Sequence, residues 1–176
     1  MPSGNTHEFT NMVLLPVSLT FLQPDGLIPF IAGYLFSTFY LSPDLDIPQS
    51  KPSQRWGRLK IIWIPYQSFI PHRSIISHSP VIGSLIRLMY LTFPIFLTIF
   101  IIFKIIDEVF FEGRLSILLE EDTSLLEISS YLKNLIFYFT YGVIVSDLIH
   151  IALDISSTFF KGIRKKINQK VKFLKI

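Results

Sequence analysis

The sequence predicts an all-α fold, a membrane-embedded helical bundle, and two observations carry this prediction. First, 50% of the 176 residues are hydrophobic and only 16% are charged, against about 25% charged residues in an ordinary soluble domain. Second, the charges are segregated: seven of the 13 acids lie within residues 107–127, and seven of the 16 bases lie within residues 161–175. The length indicates a single domain over 1–176, and its apolar surface must face lipid or a large oligomer.

The first two predicted helices form a short hairpin. Asn5 followed by Glu8 resembles a capping box, so the first helix begins near residue 6 and runs to residue 22, with a kink at Pro16. After a turn at 23–26, the second helix extends from about residue 29 to 41. Each is too short to cross ~30 Å of hydrocarbon comfortably. We therefore expect a buried or re-entrant hairpin whose outer ends lie on the same side.

Residues 43–79 form a polar, basic and proline-rich segment. Three aromatic residues, Trp56, Trp63 and Tyr66, lie among its cations. Such a mixture is typical of a membrane–water interface. We expect this segment to lie at the membrane surface with its aromatic rings at the headgroups.

Two longer apolar segments are predicted to span the bilayer. The first covers residues 81–103, follows an N-cap at Ser79 and is bent at Pro94. Its single charge, Arg87, lies near the start and is expected to snorkel towards the interface. The second covers residues 131–153. The alternative is that both segments are buried helices of a soluble bundle.

The charge distribution predicts one orientation. The basic segment 43–79 and the basic tail 161–176 belong in the cytoplasm, and the acidic segment 104–130 lies outside. A basic tail could also indicate nucleic-acid binding, but a membrane protein with a basic cytoplasmic end explains both clusters. No nucleic-acid partner is expected, and membrane lipid is the expected partner.

The last spanning segment carries three ionisable groups on one helical face. Asp147, His150 and Asp154 lie within about 60° of one another at 100° per residue. Such groups are costly in hydrocarbon unless they are paired or bind a metal. His150 and Asp154 are one turn apart, so both can reach one cation. For Asp147 a hydrogen-bonded helix contact is an equal alternative.

All the candidate metal donors converge on the cytoplasmic face. The sequence has no cysteine, so any metal must be held by His, Asp and Glu. Such donors suit Zn²⁺, with manganese or iron as alternatives, and there are enough of them for more than one ion. The candidates are His7, Asp44, Asp46, His72, His78, His150 and Asp154.

Four short motifs together carry a family resemblance. They are Asn5-Thr6-His7, Pro43-Asp44-Leu45-Asp46, Pro71-His72-Arg73-Ser74 with Ser77-His78-Ser79, and Asp147-x-x-His150-x-x-x-Asp154. This order resembles the uncharacterised bacterial, notably cyanobacterial, predicted metal-binding membrane proteins. Those are similar to membrane-bound metal-dependent hydrolases that are grouped with zinc-dependent phospholipase C and P1 nuclease. The resemblance implies an all-α fold with His7, Asp46, His78, His150 and Asp154 as metal ligands, joined by Asp44 and His72.

Two functions from different classes follow. The first is a metal-dependent hydrolase acting on a phosphoester or lipid-like substrate, with Asp44 or Asp147 as general base or as a residue that orients a histidine ligand. Arg73 would then bind an anionic phosphate, although pairing with a headgroup or carboxylate is an equal alternative. The second is a non-catalytic membrane protein in which a structural metal clamps the elements together. A transporter is a weaker third candidate, and the oligomeric state is open.

Overall fold

The computed structural model describes residues 3–70, 74, 78–112, 114 and 124–174. These residues are almost entirely helical and contain no strand, which confirms the all-α prediction. Two short 3₁₀ turns, Pro43–Asp46 and Gly57–Ile62, connect the α-helices in the middle of the chain. The helices are α1 (Gly4–Leu22), α2 (Leu27–Phe36, continued by the π-helical turn Ser37–Leu41), α3 (Lys51–Arg55), α4 (Trp63–Phe69), α5 (Ile82–Phe111) and α6 (Ser124–Leu174).

The N-terminal hairpin forms as predicted, but its first cap differs. Ser3, rather than Asn5, is the N-cap of α1, and its Oγ accepts a hydrogen bond from the Thr6 backbone N–H at 3.3 Å. The helix continues through Pro16 to Leu22. Serine is an equally good cap, and its position two residues earlier adds half a turn to the helix.

α2 packs against α6 with the two backbones in contact. Gly33 and Gly142 make this approach feasible, because a Cβ on Gly33 would lie 1.9 Å from the Phe139 carbonyl oxygen, and one on Gly142 would lie 2.1 Å from that of Phe30. Small residues at a helix crossing allow this close contact. The crossing aligns the end of α2 with the part of α6 that carries the candidate donors.

The aromatic residues of the middle segment are not where the sequence predicted them. Trp63 and Tyr66 are buried in a core cluster with Leu41, Leu45 and Val143. The Trp63 and Tyr66 rings meet edge to face with centroids 5.6 Å apart. The expectation of headgroup contact is wrong for these two residues. α3 and α4 fold back over the end of α2, so Trp63 and Tyr66 face the protein core there.

Both long helices extend beyond the predicted spans. α5 begins where Ser79 Oγ accepts a hydrogen bond from the Ile82 N–H at 3.3 Å, and it continues eight residues past 103. α6 covers 131–153 and extends at both ends. Residues Ile82–Phe111 and Ile128–Gln169 are long and apolar enough to cross a membrane, a criterion of length and composition alone.

Candidate metal centre

Six of the predicted donors come together beside the open end of the hairpin. They are contributed by four separate parts of the fold, namely α1, the 3₁₀ turn Pro43–Asp46, the residues just before α5, and α6. The hairpin brings the start of α1 next to that 3₁₀ turn, and the α2–α6 crossing brings α6 to the same place. The six residues are His7, Asp44, Asp46, His78, His150 and Asp154.

The first donor group consists of His7, His150 and Asp154, all of them buried. The two imidazole rings stack with centroids 3.8 Å apart and an interplanar angle of 16°. His7 Nε2 lies 3.3 Å from Asp154 Oδ1, and His150 Nε2 lies 3.9 Å from Asp154 Oδ2. One donor atom from each of the three residues lies within 4.8 Å of the others.

The second donor group consists of Asp44, His78 and Asp154, whose donor atoms also lie within 4.8 Å of one another. The two groups therefore share Asp154. His150 Nε2 lies 3.6 Å from Asp44 Oδ2, which links the groups a second time. Asp46 is buried, and its Oδ2 lies 3.9 Å from His78 Nδ1.

The residues present fit a divalent cation. Both carboxylate oxygens of Asp154 and the Nε2 atom of His150 are buried and make no well-formed hydrogen bond among the described residues, only the His–Asp contacts of 3.3–3.9 Å given above. Buried polar atoms are costly unless something compensates them. Two ligands bound at ~2.1 Å to one tetrahedral ion are about 3.4 Å apart, close to the 3.3 Å between His7 Nε2 and Asp154 Oδ1.

Asp44 is held in its ionised form. Burial raises its pKa, but the neighbouring imidazole of His150, aided by the charges of His7 and His78, outweighs burial and keeps the pKa below its ordinary value. The carboxylate therefore carries at neutral pH the negative charge that a cation ligand needs.

A hydrogen-bonded network one helical turn away supports the centre. Asn11 Nδ2 donates to Thr38 Oγ1 at 3.2 Å and to Ser146 Oγ at 3.0 Å, and the two hydroxyls lie 2.9 Å apart. Asn11 is four residues from His7, and Ser146 is four residues from His150. Sequence reasoning missed Asn11 and Thr38, although a polar residue one turn from His7 in an apolar helix was a usable signal.

Asp147 lies in a different environment from the other predicted site residues. It forms an ion pair with Arg87, and both side chains are fully buried. Ser84 Oγ also donates to Asp147, and Ser37 Oγ donates to its Oδ1 at 2.6 Å. The expectation that Arg87 snorkels is wrong, because the first turns of α5 pack against α6, where Asp147 compensates the charge. The two carboxylate oxygens of Asp147 are engaged in this network, and its catalytic role stays a prediction.

Two predicted site residues, His72 and Arg73, lie outside the described residues. Their roles as ligand and phosphate-binding group remain predictions from the sequence.

The fold and the donor cluster together define an all-α protein with a candidate His/Asp metal centre. Residues 2–164 match the family described as uncharacterized metal-binding protein (DUF2227), and the chain belongs to that family. It is also similar to a protein of Aquifex aeolicus (strain VF5) described as an uncharacterized protein, with 42% identity over 137 residues, 78% of this chain and 95% of that one. No solved structure matches the chain. The family description confirms the prediction of a metal-binding protein, whereas the likeness to phospholipase C and P1 nuclease gains no support and stays a prediction.

Proposed function

We propose that this protein is an integral membrane hydrolase that uses a divalent metal, zinc in the first instance, to cleave a phosphoester at the cytoplasmic face of the membrane. The observation that carries the proposal is the buried donor cluster, in which the oxygens of Asp154 and the Nε2 atom of His150 make no well-formed hydrogen bond among the described residues. Membership of a metal-binding family supports the metal-binding part of the proposal.

The membrane location is supported by the exposed surface of α5. Over residues 92–106 nearly every side chain is exposed and most are apolar. Phe96 is 68% exposed and Ile99 is 61% exposed. Apolar surface of this extent is rare on a soluble monomer, and lipid would cover it at no cost. This exposure argues against the alternative of a soluble bundle, in which α5 would be a core helix.

The chemistry follows from the donor set. A bound divalent ion lowers the pKa of a coordinated water towards 7 and polarises a phosphoryl oxygen. His7, His150 and Asp154 would hold the ion, and Asp154 also faces Asp44 and His78. Asp44, with Oδ2 3.6 Å from His150 Nε2, would take the proton of the water as its oxygen bonds to phosphorus and the ester P–O bond breaks. Arg73 would bind the phosphate of the substrate.

In this proposal Asp147 does not contact the substrate. It positions the metal ligands of α6 through its ion pair with Arg87. Its ion pair with Arg87 joins α5 to α6 one turn before His150. The pair therefore fixes the rotation of the helix that carries two of the ligands.

The second candidate function is a structural metal clamp. It is favoured by the burial of His7, His150 and Asp154, since a structural site is closed whereas a catalytic site keeps an open coordination position. In that case lipids or a protein partner would bind the basic surfaces.

The test is metal analysis of the protein purified in detergent, followed by phosphodiesterase, phosphomonoesterase and lipase assays. We expect bound metal, turnover that a chelator abolishes and zinc restores, and loss of turnover in His78→Ala. Asn168→Ala, an exposed polar position on α6, is the control and should keep full activity. Bound metal without turnover in any assay would favour the clamp.

A further inference from the structure

We propose that a groove along α6 binds the alkyl chain of a single-chain amphiphile whose phosphate group lies at the metal centre. This inference rests on the proposed function, since it names the substrate class of the same site. The described residues that carry the argument are His78, Asp154, Ile155, Phe159, Gly162 and Lys166.

The groove begins at the metal centre. Its volume is about 570 Å³, and His78 and Asp154 line one end of it. Small-molecule sites typically have volumes of about 300–1,000 Å³. Asp154, Thr158, Gly162 and Lys166 recur every fourth residue, so they follow one face of α6 for roughly 18 Å. A ligand that reaches a metal at His78 and Asp154 can therefore extend along this face.

The groove is shallow, and the face of α6 that lines it is apolar and exposed. Ile155 is 66% exposed and Phe159 is 64% exposed, and Ile163 continues the same surface. A Cβ built on Gly162 would meet nothing within 4 Å, so the midpoint of the groove is open. Apolar walls that lead away from a polar centre favour a ligand with a polar head and an apolar chain.

The anionic head would be bound by the metal ion, while the basic residues of α6 lie at the other end of the groove. From residue 155 to the end, the chain has seven bases and no acid. Lys166 lines the far end of the groove, where its methylene stem can lie along an alkyl chain while its ammonium group stays in water. A basic surface raises the local concentration of anionic ligands, and a metal ion held at the near end would bind phosphate oxygens.

The test measures binding as well as turnover. The full chain, loaded with zinc in nanodiscs of neutral phosphatidylcholine, is titrated by calorimetry with dodecyl phosphate, inorganic phosphate and uncharged dodecyl maltoside, each corrected for protein-free discs. We expect dodecyl phosphate to bind at least tenfold more tightly than inorganic phosphate, and dodecyl maltoside not to bind. This comparison separates an amphiphile from free phosphate.

A variant that fills the groove gives the second readout. Gly162→Phe should weaken dodecyl phosphate binding at least tenfold while leaving zinc content and the affinity for inorganic phosphate unchanged. The new side chain has open space, and phenylalanine is a better helix former than glycine, so folding is preserved. Asn168→Phe adds the same side chain at an exposed position that does not line this groove, and it should bind dodecyl phosphate normally.

The outcomes separate the two proposals. Equal affinity for dodecyl phosphate and inorganic phosphate, or an unchanged dodecyl phosphate affinity in Gly162→Phe, would overturn the inference. Turnover of water-soluble phosphoesters without chain preference would leave the proposed function standing and overturn only the inference. Selective binding without hydrolysis would support the groove and contradict the hydrolase. A chain that binds no zinc would overturn both.

Discussion

Asp154 is the residue through which the two donor groups are coupled. It contributes to both the His7–His150 group and the Asp44–His78 group. A carboxylate can offer one oxygen to each of two ions, whereas an imidazole nitrogen binds only one. The loss of Asp154 should therefore affect metal binding more than the loss of His7 or His78.

We predict that Asp154→Asn binds less metal per chain than His7→Ala or His78→Ala. Elemental analysis after dialysis against a weak chelator measures the ratio of metal to protein. Asp25→Asn removes a carboxylate in the turn between α1 and α2, away from the donor groups. This control should keep the wild-type ratio of metal to protein. A normal metal content in Asp154→Asn would contradict the shared role.

The Arg87–Asp147 pair should stabilise the fold, so that single substitutions destabilise the protein and the double substitution recovers much of the loss. Because both side chains are fully buried, removing one partner leaves an uncompensated charge. Asp147→Asn or Arg87→Met should lower the free energy of unfolding by about 3–5 kcal/mol. The double variant Arg87→Met/Asp147→Leu should recover much of that loss. Unfolding in mixed detergent measures these values, and single variants within 1 kcal/mol of the wild type would count against the pair.

The sequence could predict this part of the site only to a limit. Helical spacing placed Asp147, His150 and Asp154 on one face, and all three do face the interior of the fold. Only Asp147 pairs with an arginine, and that partner, Arg87, is 60 residues away in the sequence and on another helix. Local spacing carries no information about such a partner, so the ion pair could not be predicted.

At the scale of the helices, the α2–α6 crossing sets the geometry of the centre. Gly142 is one turn before Ser146 and two turns before His150, so a displacement at the crossing is passed on to the donors. A Cβ at Gly142 would lie 2.1 Å from the Phe30 carbonyl oxygen. The backbone cannot yield there without separating the helices.

We predict that Gly142→Leu lowers the free energy of unfolding by about 1–3 kcal/mol and reduces the metal content. Thermal unfolding in detergent and elemental analysis check the two effects. Gly162→Leu on the same helix has open space around it and should be at least as stable as the wild type. Equal stability of both variants would rule out the close crossing.

The short helices of the middle segment were harder to predict than the hairpin. Turn residues at 23–26 and the Ser42-Pro43 pair mark the ends of α1 and α2 in the sequence itself. Trp63 and Tyr66 have the same local composition whether they face headgroups or a protein core. Only the return of α4 over Leu41 and Leu45 makes them interior, and that contact is not local.

At the scale of the whole molecule, the ends of the long helices show what hydropathy can and cannot predict. The apolar runs 81–103 and 131–153 marked the parts of α5 and α6 suited to lipid. Both helices continue into charged residues, since lysine, arginine and glutamate are good helix formers. Hydropathy therefore located the helices but not their ends.

The proposed topology predicts which side of the membrane each segment occupies. Because the chain lacks cysteine, single cysteines at Glu112 and Asn168 can be labelled without background. A membrane-impermeant maleimide should label Glu112→Cys only in right-side-out vesicles and Asn168→Cys only in inside-out vesicles, as the positive-inside rule requires. The cysteine-free parent is the control. Labelling of both from one side would mean that α6 does not cross.

The order of the donors along the chain has a consequence for biogenesis. His7 lies in the first turn of the first helix, and its closest partners, His150 and Asp154, lie in the last helix. A ribosome must have made almost the whole protein before these groups can meet. The complete centre can therefore bind metal only after the final helix has been synthesised, and a product truncated before α6 would carry only a fragment of the centre.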